Sequence, residues 1–370
     1  MTIRWPLALT GLASLACGGE ATEELPAWTL VEERRIGSSG EGPDGFADVR
    51  GLHVDRRGNI WVIEFSTKDL RVFAPDGRHV RTVSRDGKGP GEFSYPDGLA
   101  GDRDGLIWVH DPVNQRFSLF DEDGRYVRQV SFLSGGYGYI WGGGIDASGE
   151  IWNPIIGPDP TGTPGARYQR FRPDGTVRDT VRVPPCGSAE PDLSMYFQAK
   201  GSFMQVPFAA GPVGGLRLGG ESWCAPSSLE YRIVARRVPG GDSVAAIVGR
   251  TEEVPVTAAE RADAEEEVRR FFTRIGAPVP DLGRIPGRKP QLLGIRVDES
   301  ERVWVRRATA SGTTTWDLYE RSGRPVATVT AAFAPSVYHP FIVRGDRFYG
   351  LVRNEDEVPQ VVIARVERSR

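Results

Sequence analysis

An all-β fold, a six-bladed β-propeller, is predicted by three observations. The chain matches itself at an offset of 47 residues, Asp-Gly turns separate its short apolar runs, and a tryptophan returns at one place in successive units. The 46 glycines and 28 prolines are about a fifth of the 370 residues, turn-rich but below the roughly 25–30% of low-complexity disorder. Nine tryptophans, ten tyrosines and sixteen phenylalanines can fill a sizeable core. With 46 basic against 49 acidic residues and a net charge of −3, no nucleic acid is expected as a partner.

The chain opens on an export device. Residues 1–4 carry one positive charge, and the uncharged stretch 5–16 leads straight to Cys17. Twelve residues are too few to span a bilayer as a helix, which takes roughly 20. A short basic start, a short apolar run and small residues before a cut site read as a signal peptide. Ser14-Leu15-Ala16-Cys17 resembles the lipobox of bacterial lipoproteins, which implies lipidation of Cys17 and cleavage before it. A plain signal peptide with an incidental cysteine is the alternative. The organisation expected is a signal peptide over 1–17, a polar tether over 18–27 and a single propeller domain over 28–370. The two remaining cysteines, Cys186 and Cys224, fit one disulfide in an exported chain, or else two buried thiols.

The repeat follows. GLHVDRRGNIWVIEFSTKDLRVFAPDGRHVRTV from Gly51 aligns without a gap on GLAGDRDGLIWVHDPVNQRFSLFDEDGRYVRQV from Gly98. Asp55 thereby matches Asp102, Gly58 matches Gly105, and Trp61 matches Trp108. Degenerate copies lie at 142–177 and 292–326, the latter without a turn glycine after Asp298. Four strand-like runs fill 207–250, and three fill 339–368. The expected four-stranded units are 51–97, 98–140, 141–200, 201–256, 289–333 and 338–368. The last is one strand short, and the strand-like segment 28–37 can complete it, closing the ring and covering two sheet edges. One segment, 257–276, is helical. Thr257 and Glu260 form a capping box, and Val268, Phe271, Phe272 and Ile275 share a face. This amphipathic insert either lids one mouth of the channel or packs on the rim.

GPGEFSYPDGLAGDRDGLIWVHDPVNQRFSLFDEDGR, from Gly89 to Arg125, resembles the repeat of the NHL family of propellers. The match is strong over 37–130, weaker over 142–183 and 292–329, and absent from 203–250. In NHL-type and related six-bladed proteins, the residues before the innermost strand and after the tryptophan strand surround one channel mouth. The resemblance therefore implies Arg50, Asp97 and Trp141, with Gln291 and His339 as looser equivalents, and Glu64, Asp111 and Asn153, with Arg306 or Arg307. His110, beside Asp111, is added as a ligand-binding candidate. Glu64, Asp97, Asp111 and Asn153 could offer four oxygens to Ca2+ or another divalent cation.

The D-x-D-G strings at Asp102 and Asp121 read as hairpin turns rather than calcium loops. Neither G-x-S-x-G nor H-E-x-x-H occurs, so no catalytic residue is named. The expectation is a monomeric cell-envelope lipoprotein. Its propeller is a binding module for a protein, peptide or glycan, and it touches the membrane only through its lipid anchor, on the outer or another periplasm-facing membrane. The alternative is a cation-dependent hydrolase or lyase, lactonase-like, with its site at the channel mouth.

Overall fold

The computed structural model describes residues 25–132, 140–156, 161, 165–186, 195–249, 252–310 and 313–369. The expected signal peptide, Cys17 and most of the tether lie outside them. Strand β1 (Ala27–Ile36) is followed by two four-stranded antiparallel sheets. The first is β2–β5 (Val49–Val54, Ile60–Glu64, Asp69–Phe73, His79–Val83) and the second β6–β9 (Gly98–Gly101, Ile107–Asp111, Arg116–Phe120, Tyr126–Ser131). A third is β10–β13 (Gly144–Ile145, Ile151–Ile155, Ala166–Phe171, Val177–Val183). A separate hairpin, β14 and β15 (Tyr196–Ala199, Ser202–Gln205), precedes the sheet β16–β19 (Val213–Arg217, Glu221–Ala225, Arg232–Arg237, Ser243–Val248). Helix α1 (Ala258–Arg274) and a 3-10 turn (Leu282–Arg284) lead into β20–β23 (Leu292–Val297, Val303–Arg307, Thr314–Tyr319, Pro325–Ala331). The chain finishes with β24–β26 (Ile342–Arg344, Arg347–Arg353, Pro359–Arg368).

Strand β1 pairs antiparallel with β26 from Trp28↔Arg368 to Ile36↔Val361, giving the last sheet its fourth strand. It also runs parallel to β23 over Ala27–Leu30, so the last two units form one eight-stranded sheet. Each sheet packs its apolar face on the next. Trp61 and Val72 meet Leu99 and Val109, Trp108 and Phe117 meet Ile151 and Phe171, and Trp152 meets Val238. Trp223 and Ile233 then meet Ile295 and Val305, and Trp304 and Trp316 meet Phe348 and Val362. Val54 and Ile60 meet Leu351 and Val361, so the last sheet packs on the first. The chain is a β-propeller. Its second strands are mostly buried, Ile107–Asp111 throughout, while an outer strand such as Tyr126–Ser131 alternates between partly buried and exposed until Val130.

One polar device recurs within the packing. Asp55, Asp102, Asp146 and Asp298 each accept the indole N–H of the tryptophan six residues on, at 2.7–2.9 Å. The other oxygen of each accepts the backbone N–H groups two and four residues on; for Asp102 these are Asp104 and Leu106, at 2.9 and 2.8 Å. One carboxylate thus shapes the turn and satisfies the donor of a buried indole.

The unit boundaries 141–200 and 201–256 need correction. The third sheet ends at Val183 and the fourth starts at Val213. The hairpin between them belongs with the helix, because Phe197 and Val206 bury against Val268, Phe272 and Ile285. The capping box of Thr257 and Glu260 is present, and Ala264, Val268 and Phe272 are the buried face of α1. Cys186 and Cys224 are joined by a disulfide with Cα atoms 5.8 Å apart, tying the segment after β13 to β17.

Candidate functional site

Two of the expected ligand carboxylates organise the loops between sheets. Glu64, 1% exposed, accepts the backbone N–H groups of Ala47, Asp48 and Ser66 at 3.0–3.1 Å. Asp111, 47 residues on and fully buried, accepts those of Ser94, Tyr95 and Asn114 at 2.7–3.1 Å and the Asn114 amide at 2.8 Å. These bonds explain why the first two units place a carboxylate at the end of the tryptophan strand: it receives the orphan donors of the incoming loop. Arg50 is engaged as well. It pairs with Asp48 at 2.8 Å, donates to the Tyr95 hydroxyl at 2.8 Å and lies 3.7 Å over the Phe65 ring.

Four other candidates form one contact chain. Asp97 Oδ1 and His110 Nδ1 are 2.6 Å apart, both residues buried. The His110 ring stacks between Phe132 and Trp141, at centroid distances of 4.7 and 5.4 Å. Trp141 then donates its indole N–H to Asn153 Oδ1 at 3.0 Å. Burial pushes the Asp97 carboxyl above its ordinary value, with the His110 bond opposing the shift.

The donors do not fit a cation. Among the described residues no three His, Cys, Asp or Glu side chains gather into a group that could hold a metal ion. Glu64 and Asp111 already hold their loops, and Asn153 holds Trp141. Nor does His339 reach toward a ligand. Its Nε2 bonds the Val49 carbonyl at 2.9 Å and its Nδ1 the Ser336 hydroxyl at 2.8 Å, fastening the last sheet to the first. Burial lowers its basicity.

A cavity of about 540 Å³ lies at the expected mouth, off to the side where β20 begins and the chain enters β24. The helix and hairpin form one wall through Met204, Val206, Glu260 and Glu267. The ends of β21 and β22 form the other through Arg306, Ala308 and Thr314. None of Arg50, Glu64, Asp97, His110, Asp111 or Asn153 lines it. Arg306 and Arg307 do, and Gln291 stands just outside. Arg307 pairs with Asp317 at 3.2 Å, and Lys289 pairs with Glu260 of the capping box. Among the described residues Arg306 has no carboxylate partner. Its Nη1 donates to the Pro335 carbonyl at 2.6 Å, and its buried Nε has no acceptor among the described residues. This residue stood in the sequence only as an uncertain equivalent. Nothing there showed that its neighbour would take the available aspartate.

The opposite mouth opens into a cavity of about 680 Å³, lined at or just past the ends of β2, β6, β10, β16, β20 and β24. Its charges are largely matched: Arg344 pairs with Glu299, Arg217 with Glu301 and Arg56 with Glu122.

No family model matches the chain, and no curated protein matches it. Solved structures do. A member of the DUF4221 family from Bacteroides vulgatus is 11% identical with a TM-score of 0.50, over 93% of this chain and 99% of that one. Virginiamycin B lyase from Staphylococcus aureus is 12% identical with a TM-score of 0.42, over 91% and 99%. A calcium-binding protein, regucalcin, from Agrobacterium tumefaciens is 11% identical with a TM-score of 0.42, over 92% and 96%. At these identities the likeness is one of fold. Among the described residues no helix is long and apolar enough to cross a membrane.

Proposed function

We propose that the protein is an exported, lipid-anchored binding module, a six-bladed propeller of NHL type that holds its ligand in the cavity beside α1. The blade count is supported by six four-stranded units packed in cyclic order, the last two joined into one sheet through β1, and by six innermost strands ending at one mouth. The observation that carries the binding role is the 540 Å³ cavity itself. It is walled by an insertion foreign to the repeat and lined by apolar and polar side chains together, among them a guanidinium that has no carboxylate partner among the described residues. Concave, largely apolar sites with a few placed polar groups are where ligands bind. A protein, peptide or glycan of the cell envelope is the expected source of the ligand.

The test is solvent extraction of the purified full-length protein followed by mass spectrometry, beside Ala334→Trp, which fills the cavity from its exposed rim. A compound retained by the native protein and lost from the variant supports the reading; equal content in both overturns it. Cys17→Ser should release the protein from membranes, and unchanged membrane association would refute the anchor.

A catalytic reading has one observation in its favour. His110 is held through Nδ1 by Asp97, and its Nε2 makes no hydrogen bond among the described residues, the arrangement of an oriented general base. Turnover of a lactone panel that His110→Asn abolishes would favour it over simple binding.

A further inference from the structure

The cavity beside α1 has an unanswered positive charge at its floor. Arg306 belongs to β21 and pairs across the sheet with Gly294, while Arg296 of β20 pairs with Trp304. In an antiparallel ladder these four residues share one face, so both guanidiniums project on the same side of the fifth unit. Both line a smaller cavity of about 30 Å³ with His339 and Phe341, and Arg306 reaches from there into the large one. Neither arginine has a carboxylate partner among the described residues. Burial works against the charge of each.

The other cations on the cavity wall are spoken for. Asp317 holds Arg307, and it also accepts the Tyr231 hydroxyl at 2.8 Å. Glu260 holds Lys289 and caps the helix. Glu267 is the remaining carboxylate on the wall, exposed to water on α1. A guanidinium carries five N–H donors in a planar fork. Here one nitrogen bonds the Pro335 carbonyl and the buried Nε bonds nothing among the described residues. A desolvated guanidinium short of acceptors is costly, and an oxyanion bonding the nitrogen it still turns to the cavity, Nη2, offsets that cost through a charge-assisted pair. The remaining wall is uncharged, apolar or hydroxylic apart from the Gln205 amide, with Leu293 and Tyr338 exposed to the opening.

We infer that the ligand of this cavity is a small oxyanion on an apolar body, a carboxylate or a phosphate monoester, anchored by Arg306. The inference rests on the binding role proposed above and names the chemistry of its ligand. The headgroup sits at Arg306 and the apolar body lies along Leu293, Val206 and Tyr338.

Calorimetric titration of the full-length protein with 4-phenylbutyrate, phenyl phosphate, 4-phenylbutyramide and inorganic phosphate tests it. One saturable site is expected for 4-phenylbutyrate or phenyl phosphate, the tighter of the two identifying the headgroup. The uncharged amide should bind about tenfold or more weaker, since it lacks the charge-assisted pair. Inorganic phosphate should bind weakly for want of an apolar body. Arg306→Met should lose about tenfold or more for the anions with little change for the amide, and Arg306→Lys should recover part of the loss. Glu267→Gln should bind the anions at least as tightly as the native protein.

Equal binding of acid and amide, anion affinity unchanged in Arg306→Met, or no binding of any anion to the native protein would each overturn the inference. If Arg306→Met fails to fold, the acid-to-amide ratio on the native protein decides. Ala334→Trp separates the two levels. If it abolishes acid and amide alike while Arg306→Met changes neither, the cavity is a binding site and only the oxyanion assignment fails.

Discussion

Asp298 accepts the indole N–H of Trp304 at 2.8 Å although the fourth residue of its turn is Glu301, not glycine. In the equivalent turns Gly58, Gly105 and Gly149 sit at φ of 81–86°, and Glu301 takes up the same left-handed region at φ 63°. The carboxylate–indole bond and the turn carbonyls hold the backbone there whatever side chain is present. Glycine adopts this region without the Cβ penalty of roughly 1 kcal/mol. Glu301→Gly should therefore be more stable than Glu301→Ala by about 1 kcal/mol in urea unfolding. Comparing the two variants cancels the loss of the Glu301–Arg217 pair.

Removing the carboxylate from such a turn should cost more. Asp102→Ala leaves the fully buried Trp108 indole and two backbone donors without their acceptor. A loss of about 2–4 kcal/mol is expected, from unsatisfied buried groups costing roughly 1–3 kcal/mol each with water reaching the turn donors. Chemical denaturation followed by tryptophan fluorescence would measure it. A change under about 0.5 kcal/mol would show that the bond is dispensable.

The Cys186–Cys224 bridge closes a loop of 38 residues between the third and fourth sheets. Removing both cysteines as alanines should lower stability by about 2–4 kcal/mol. Adding a reductant should destabilise the native protein and leave that variant unchanged, which thermal melts with and without reductant would report.

His53 introduces a pH dependence. Its imidazole lies so close to the neighbouring innermost strand that a Cβ on Gly101 would sit 2.3 Å from Nε2. Burial, reinforced by Arg344, lowers its pKa from 6.5 to about 4. The unfolded chain therefore takes up the proton first as pH falls. The native stability contribution is complete above about pH 6.5 and is lost between there and pH 4, on the order of 2–3 kcal/mol. His53→Gln should flatten the stability–pH curve in that window. An unaltered slope would assign the acid sensitivity to other groups.

The architecture was legible because a propeller repeats local chemistry. The 47-residue self-match exposed the Asp, Gly and Trp positions, and the structure supplies their reason: one carboxylate serves a turn and an indole together. The strand 28–37 could be assigned to the last unit because that unit was one strand short. The candidate site was far less legible. Glu64 and Asp111 were visible at their repeat positions, but a carboxylate that receives backbone N–H groups looks the same in sequence as one that awaits a ligand.

By itself, then, the sequence determined the all-β class, the approximate length of the repeat, its turns and the capped helix. Each of these is written in spacings within about 50 residues. Tertiary structure alone decided which charges are answered. Asp317 goes to Arg307 and Glu260 to Lys289, while Arg306 is left facing a cavity walled by the hairpin and helix. Those pairings join distant segments, and a charge is satisfied or left over only once every neighbouring partner has been placed.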